Sequence, residues 1–419
     1  MPIASRKSVG LVISSYLSTG ISAASLFAVA AYLGPTAYGK LSYSNALLAI
    51  FSPLSSLGIR SALASLLPSS KSPSILLANA IYLQLCGSVV SSAVMIAIAL
   101  RSSDEEIKIL LLLNTVPLFL DTLEILASYL LACSKVRVVS FSIASSAFIS
   151  AVVRLALVAS RSALPFFSVP AIVQRLALYG WQIKSCIDSV RNNLFRLANP
   201  RVSDIKGILR RSLPALISGL GIASYTYIDQ AMLPRYVPFS ALGLYSIAVL
   251  FVGLANIAFV KIGSVEEPRL HVLLAEGRVT EYQKHQRFLL SALLRTSLFL
   301  FTVTVVISLA FLLVKPLHQM LGLYGEIPSL LFAMSIQLPF VALGACYMSA
   351  LYRAESREMV YAGIVSACAV SNILLNLFAI PAWGTIGAIL STNISLALLL
   401  ILAACLKPKG TTASLKLNG

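Results

Sequence analysis

Long apolar runs follow one another along almost the whole chain, and they restrict it to a membrane-spanning helical fold. An α-helix needs about 20 apolar residues to cross the hydrocarbon of a bilayer, and runs of this length recur throughout the sequence. In lipid the backbone must satisfy its hydrogen bonds internally, which favours helices. Only 11% of the 419 residues are charged, too few for the surface of a soluble protein. We predict an all-α polytopic membrane protein with about 12 transmembrane helices.

Hydropathy places the predicted spans between short connections. The first run is long enough to span and is followed by no small-residue cleavage site, so we interpret it as a helix rather than a signal peptide. The predicted spans are 10–33, 41–67, 75–100, 107–133, 138–160, 162–181, 208–233, 239–263, 288–314, 328–351, 359–380 and 385–406.

Lysine and arginine are distributed unequally between the two sides of these spans. If the N-terminus is inside, the inner connections hold most of the basic residues and the outer connections hold few. Such a bias is typical of membrane topology and predicts that both termini are cytoplasmic. Topology also accounts for the net charge of +17, so nucleic acid is not an expected partner.

The longest segment between spans, 182–206, is basic and lies near the middle of the chain. Its apolar residues recur at three- or four-residue steps, as in a helix on the inner membrane surface. We interpret it as a linker between an N-terminal six-helix bundle, 1–181, and a C-terminal bundle with a short cytoplasmic tail, 207–419. The motifs AYGKLS (37–42) and ALGLYS (241–246) occupy matching positions in the two halves, which indicates a parallel internal repeat.

An aspartate, Asp229, interrupts one of the apolar helices. A carboxylate in a spanning helix costs roughly 2.5–3.5 kcal/mol on insertion scales, so it usually faces a cavity or a partner. Residues on the same face of that helix, and the serines that the repeat aligns with that face in the first span, are candidates for lining a cavity. They are Ser18, Ser22, Ser25, Tyr225 and Thr226.

Arg154 lies inside the fifth predicted span. Helical rise places it at a depth similar to that of Asp229, in the outer half of the membrane. We expect both side chains to line a cavity and to pair when its outer side is closed, so that Asp229 governs opening or ion coupling. The alternatives are a static pair, or an Asp229 that already lies among the outer headgroups.

Two further carboxylates, Asp121 and Glu124, lie three residues apart in the fourth span and share a helical face. Carboxylates this close repel each other unless a cation lies between them. They are candidates for a proton or sodium coupling site, or for ion pairs with Arg60 or Arg175.

The sequence predicts no enzyme activity, no cofactor and no metal site. The nucleotide-binding pattern GxxxxGK[ST] is absent, as are HExxH and GxSxG. The six cysteines form no CxxC pair, so neither a disulfide framework nor a metal cluster is expected.

Three stretches resemble Wzx-type polysaccharide flippases, which transport lipid-linked oligosaccharides such as O-antigen precursors. The segment YLGPTAYGKLSYSNAL (32–47) resembles their first outer loop, and YTYIDQAMLPRYVPFSALGLYSIA (225–248) resembles their seventh span and the following loop. NILLNLFAIPAWGTIGAILSTNIS (372–395) resembles their last two helices. The resemblance implies the fold of the multidrug/oligosaccharidyl-lipid/polysaccharide exporters, in which two six-helix bundles surround a central cavity.

The resemblance also implies a function in the bacterial inner membrane, namely transfer of undecaprenyl-pyrophosphate-linked oligosaccharide from the cytoplasmic to the outer leaflet by alternating access. Guanidinium groups suit pyrophosphate oxygens, so Arg154, Arg175 and Arg60 become candidate hosts for the pyrophosphate. The expected partners are this substrate, membrane lipids, a coupled proton or sodium ion, and polysaccharide polymerase or assembly proteins. A multidrug or cation antiporter of the same fold, or a membrane glycosyltransferase or polymerase, are the alternatives.

Overall fold

The computed structural model describes residues 6–67, 73–191, 202–314, 319 and 322–406. Their α-helices, numbered in chain order, are α1 (Arg6–Ser56), α2 (Ile59–Leu66), α3 (Pro73–Arg101), α4 (Glu105–Leu113), α5 (Thr115–Leu120), α6 (Ile125–Ala132), α7 (Val136–Ala159), α8 (Val169–Arg191), α9 (Val202–Met232), α10 (Phe239–Ala275), α11 (Val279–Leu313), α12 (Ile327–Ser335), α13 (Gln337–Phe340), α14 (Ser349–Ala354) and α15 (Glu358–Cys405). Short 3₁₀ turns at Asp121–Glu124, Leu164–Ser168, Leu233–Arg235 and Gly322–Tyr324, and a π-helical turn at Val341–Met348, connect some of them.

The prediction of an all-α membrane protein is confirmed. The described residues contain helices and turns but no β-strand. Seven of their helices are long and apolar enough to cross a membrane, and a bent pair, Gly322–Ser335 with Gln337–Gly344, would make an eighth. The count of twelve spans is consistent with these helices but stays a prediction.

Two of the longest helical segments, α1 and α15, are hairpins with a predicted span in each arm. The second predicted span of α1, 41–67, continues into α2 after a turn at residues 57–58. In α1 the backbone is not helical at Gly34, where φ is 73° and ψ is 171°, and in α15 it is not helical at Gly384, where φ is 56° and ψ is −128°. Positive φ at these positions favours glycine. The Asn372 amide donates to Thr392 Oγ1 at 3.3 Å although the two residues are 20 apart in sequence. A straight helix would separate them by about 30 Å, so α15 folds back on itself.

The chain divides into two compact units, unit 1 (Met1–Ala223) and unit 2 (Ser224–Gly419), with the division inside α9. Unit 1 therefore contains α1 to α8 and the start of α9, and unit 2 contains the end of α9 and α10 to α15. The predicted domain boundaries stay a prediction, because residues 192–201 of the linker lie outside the described residues.

In unit 1 the fourth predicted span is not one continuous helix. Helix α4 ends at Leu113, and the side-chain amide of the next residue, Asn114, donates to Ser44 Oγ at 2.8 Å. Helix α5 ends at Leu120, and the 3₁₀ turn Asp121–Glu124 connects it to α6. The Leu118 carbonyl oxygen accepts hydrogen bonds from the hydroxyls of Ser55 and Ser88, each at 2.9 Å. Broken helices occur at membrane depth where neighbouring side chains satisfy the freed backbone groups in this way. We call α4, α5, the 3₁₀ turn and α6 together the broken span.

Close backbone packing joins α1 to α3, and an ion-pair cluster fixes the start of the broken span to α1. A Cβ atom on Gly87 of α3 would lie 2.6 Å from the Ser55 carbonyl oxygen, so the α1 and α3 backbones are in direct contact, as small residues allow. Lys40 Nζ lies 2.6 Å from Asp104 Oδ2 and 2.7 Å from Glu106 Oε2. Partial burial acts to raise the pKa of the Asp104 carboxyl, but Lys40 and nearby backbone N–H groups outweigh it, so this pKa lies below its usual range.

Unit 2 has its own core and a polar network at one end of its helices. Buried side chains of α10 and α11, including Phe259, Tyr282 and Leu289, form part of that core. Arg353 Nη1 of α14 donates to Glu267 Oε2 of α10 at 3.1 Å, and His285 of α11 bonds Glu266 of α10. These contacts tie α10, α11 and α14 together.

Candidate substrate-binding cavity

Unit 1 contains a cavity of about 450 Å³ whose wall is partly apolar and partly polar. Both arms of α1 line it, together with α7, the 3₁₀ turn Leu164–Ser168 and α8. Its volume falls in the range of roughly 300–1,000 Å³ that is usual for small-molecule sites. The lining residues are Leu26, Val29, Leu41, Asn45, Leu48, Ala49, Ser52, Pro53, Arg154, Phe167, Ala171, Gln174 and Arg175.

The charged residues of the cavity wall are both arginines, and the first of them has no counter-ion among the described residues of its unit. Arg154 of α7 is half-buried, and its Nη1 donates to Ser25 Oγ of α1 at 3.1 Å. Ser25 is only 2% exposed, and its hydroxyl in turn donates to the Ser22 carbonyl oxygen at 2.7 Å. No carboxylate of the described part of unit 1 lies within ion-pair distance of Arg154. The Ser25 hydroxyl therefore orients the Arg154 guanidinium, but does not neutralise its positive charge.

The second arginine, Arg175 of α8, is paired with Asp121 of the broken span. Its Nε donates to Asp121 Oδ1 at 3.1 Å and its Nη2 donates to Oδ2 at 3.4 Å. Tyr179, one helical turn further along α8, donates its hydroxyl to the same Oδ1 at 2.9 Å. The Asp121 carboxylate therefore accepts hydrogen bonds from both side chains of α8.

The third candidate, Arg60 of α2, does not line this cavity. Its Nη1 lies 3.1 Å from Glu124 Oε1, and its side chain is 53% exposed. The two carboxylates of the 3₁₀ turn thus bind different arginines. Asp121 binds Arg175, which lines the cavity, and Glu124 binds Arg60, which does not. The structure contains an ion pair for each carboxylate, as the sequence allowed: Asp121 with Arg175 and Glu124 with Arg60. Whether either carboxylate couples an ion stays a prediction.

The predicted cavity-lining residues have several different environments. Ser25 lies behind Arg154 and orients it, and Ser22 supplies the carbonyl that Ser25 binds. The side chain of Ser18 lies outside the described residues. Tyr225 and Thr226 belong to unit 2, where Tyr225 is buried and Thr226 is half-buried. Their predicted role in lining a cavity stays a prediction.

Asp229 is 3% exposed and lies near the end of α9 in unit 2. It accepts hydrogen bonds from the Tyr245 hydroxyl of α10 and from the Gln230 backbone N–H, the latter at 2.7 Å. The neighbouring Gln230 accepts from Ser246 Oγ at 3.3 Å. Two adjacent side chains of α9 thus bind two adjacent side chains of α10. The proposed pairing of Asp229 with Arg154 stays a prediction.

Sequence reasoning missed several polar residues of the unit 1 cavity. Asn45 and Ser52 line it from the second arm of α1, and Gln174 lines it beside Arg175. A signal was available, because Asn45 and Ser52 are seven residues apart and therefore share one helical face. No sequence signal identifies Tyr179 as a partner of Asp121, since that contact depends on how α8 packs against the broken span. In the described residues, no group of three or more His, Cys, Asp or Glu side chains could hold a metal ion.

Comparisons with known proteins identify a family and a fold. Residues 5–271, more than half of the chain, match the family model described as polysaccharide biosynthesis protein. A structure of the lipid II flippase MurJ in an inward-closed conformation aligns with a TM-score of 0.72 at 18% identity, covering 96% of this chain and 88% of that one. An inward-facing multidrug resistance MATE transporter of the MOP superfamily aligns with a TM-score of 0.65 at 12% identity, covering 100% and 97%. A eukaryotic MATE transporter, AtDTX14, gives 0.64 at 15% identity, covering 98% of each chain. No curated protein matches the sequence.

Proposed function

Because this chain belongs to the polysaccharide biosynthesis protein family and has the fold of the MOP exporters, we propose that it is a flippase for a lipid-linked oligosaccharide. The substrate is an undecaprenyl-pyrophosphate-linked precursor of a surface polysaccharide. Alternating access transfers it from the cytoplasmic to the outer leaflet. The observation that carries this proposal is the unit 1 cavity, whose wall presents Arg154 without a counter-ion in the described part of that unit.

The charge of the cavity wall favours an anionic substrate over a cationic drug. Its charged lining residues are Arg154 and Arg175, and neither Asp121 nor Glu124 lines it. A site for organic cations would place carboxylates and aromatic rings on the wall, whereas guanidinium groups bind phosphate oxygens with paired hydrogen bonds. The polar groups of Asn45 and Gln174 add donors and acceptors that suit a sugar or a phosphate.

The proposal places the protein in the bacterial cytoplasmic membrane with both termini inside. The basic bias of the predicted inner connections supports this orientation. Energy comes from the membrane potential, from a coupled proton or sodium ion, or from removal of the product by a polymerase or other assembly proteins outside. Asp121, Glu124 and Asp229 are the candidates for ion coupling or gating.

Substitution of Arg154 tests the proposed function. Arg154→Ala and Arg154→Glu should lower export at least about tenfold, because each removes a charged hydrogen-bond donor of a type that contributes about 1.5–3 kcal/mol. Arg154→Lys should retain part of the activity, since it keeps the positive charge but loses the paired, coplanar N–H donors of the guanidinium. Export is measured as surface polysaccharide in a bacterial strain that depends on this protein, normalised to the amount of protein in the membrane.

The matched control is Arg137→Ala, which removes an exposed arginine from the same helix, α7. Normal surface polysaccharide in both Arg154→Ala and Arg154→Glu cells would exclude headgroup binding by Arg154. Purified protein that binds an organic cation but no lipid diphosphate would instead favour a multidrug antiporter.

A further inference from the structure

Asp121 neutralises Arg175, a cation of the cavity wall that the proposed substrate needs. Resting on the proposed function, we propose that Asp121 is a displaceable counter-ion, which a diphosphate headgroup replaces on Arg175 when it enters the unit 1 cavity. Binding of the headgroup thereby opens the link between α8 and the 3₁₀ turn of the broken span. Asp121 acts through Arg175 and does not touch the substrate, so it is a positioning residue.

Charge balance in the cavity is the first argument. A diphosphate that joins a lipid to a sugar is a diester and carries two negative charges. The cavity wall offers one uncompensated positive charge, on Arg154, because the charge of Arg175 is balanced by Asp121. An unpaired charge away from water is expensive. The second phosphate charge is therefore compensated only when Arg175 leaves Asp121.

The geometry of the pair suits such an exchange. The two hydrogen bonds measure 3.1 and 3.4 Å, longer than the roughly 2.7–2.9 Å of tight charge-assisted pairs. Nη1 of Arg175 has no hydrogen bond to the described residues of unit 1. The side chain is 26% exposed and lines the cavity, whereas that of Asp121 is 11% exposed. Arg175 can therefore turn toward a ligand while Asp121 stays in place.

Tyr179 keeps Asp121 hydrogen-bonded after the exchange. Removing one partner of a buried ion pair is costly because it leaves the other charge unpaired. Here the Tyr179 hydroxyl donates to Asp121 Oδ1 at 2.9 Å independently of Arg175. Because Tyr179 and Arg175 both belong to α8, displacement of Arg175 reduces the side-chain bonds from α8 to Asp121 from three to one.

The same turn provides an internal control. Glu124 forms an ion pair with Arg60 at 3.1 Å, and neither residue lines the cavity. Neutralising Glu124 therefore removes a carboxylate from the 3₁₀ turn without freeing an arginine of the cavity. Neutralising Asp121 does free one.

The experiment measures binding to the purified full-length protein in lipid nanodiscs. The probes are citronellyl diphosphate carrying one N-acetylglucosamine, with two charges, and the corresponding monophosphate, with one. Asp121→Asn should bind the diphosphate about tenfold more tightly than the wild-type protein, since a hydrogen bond to a charged group becomes available to the ligand. Its affinity for the monophosphate, which Arg154 alone can balance, should change less than about threefold. Glu124→Gln should bind both probes as the wild-type protein does.

A second variant ties the effect to the arginine and not to a rearranged turn. In the double variant Asp121→Asn/Arg175→Ala the gain for the diphosphate should disappear, and thermal unfolding of each variant shows whether the unit is intact. Unchanged diphosphate affinity in Asp121→Asn, or an equal gain for the monophosphate or in Glu124→Gln, would overturn the exchange while leaving the proposed function standing. A wild-type protein that binds no diphosphate would overturn both.

Discussion

At the scale of single residues, the two arginines of the unit 1 cavity differ in what surrounds them. Arg154 is oriented by the Ser25 hydroxyl and carries its full charge into the cavity, whereas Arg175 is neutralised by Asp121. From the sequence, both were candidate hosts for the pyrophosphate, and Arg175 and Arg60 were candidate partners for Asp121 and Glu124. The sequence could not assign the partners, because the rotation of each helix about its axis depends on packing between helices. For the same reason the exclusion of Arg60 from the cavity was not predictable.

In unit 2, Asp229 allows a prediction about single side chains. Asp229→Asn should impair transport more than Tyr227→Phe, because Asp229 accepts the Tyr245 hydroxyl while Tyr227 makes no hydrogen bond among the described residues. Tyr245→Phe removes only the donor and should give an intermediate loss. The measurement is surface polysaccharide per amount of membrane protein. Equal transport by all three variants would indicate that the contact between α9 and α10 is static and has no part in gating.

At the scale of elements, the hairpins and the broken span differ in how far they were predictable. The breaks at Gly34 and Gly384 separate apolar runs, so hydropathy alone predicted one span on either side of each break. The break before α6 lies inside one apolar run, 107–133, and the sequence predicted a single helix there. Pro117 marks a weak point, but the hydroxyls that satisfy the Leu118 carbonyl come from α1 and α3. A local pattern cannot supply those partners.

The contact between α1 and α3 gives a prediction about stability. Gly87→Ala should lower the free energy of unfolding of unit 1 by about 1–3 kcal/mol, because its Cβ would lie 2.6 Å from the Ser55 carbonyl oxygen and 2.7 Å from that of Leu54. Gly180→Ala is the control, since no atom lies within 4 Å of the added Cβ. Thermal unfolding of both variants in detergent measures the difference. A transition of Gly87→Ala at the wild-type temperature would show that the two helices separate without cost.

At the scale of the whole molecule, class and family were accessible from the sequence because both depend on local information. An apolar run predicts a span whatever helices pack against it. Each of the three stretches that resemble Wzx-type flippases is continuous in sequence, so it can be recognised without knowledge of the fold. The matched family of polysaccharide biosynthesis proteins confirms that resemblance, and the structures of MurJ and of the MATE transporters share the fold of this chain. The division inside α9 was not predicted, because it depends on which helices the two ends of α9 contact.

Orientation in the membrane is a prediction about the whole chain. In a cysteine-free background, Ser103→Cys before α4 should react with a membrane-impermeant thiol reagent in intact cells. Ser134→Cys after α6 should react only after the membrane is permeabilised, because the two exposed positions flank the broken span. The basic bias of the predicted inner connections gives the expected sidedness. The reverse labelling pattern would show that the N-terminus faces outside.

The 3₁₀ turn between α5 and α6 also sets a length. Its four residues rise about 2.0 Å each in a 3₁₀ helix and about 1.5 Å each in an α-helix. Rewinding the turn into an α-helix would shorten the broken span by about 2 Å and would rotate Asp121 against Glu124 by about 60°. Both ion pairs then could not be kept at once. The arginines of α2 and α8 thus stabilise the longer form of the span. If Arg175 binds a ligand and not Asp121, one of these two ion pairs is lost and the longer form is less stable.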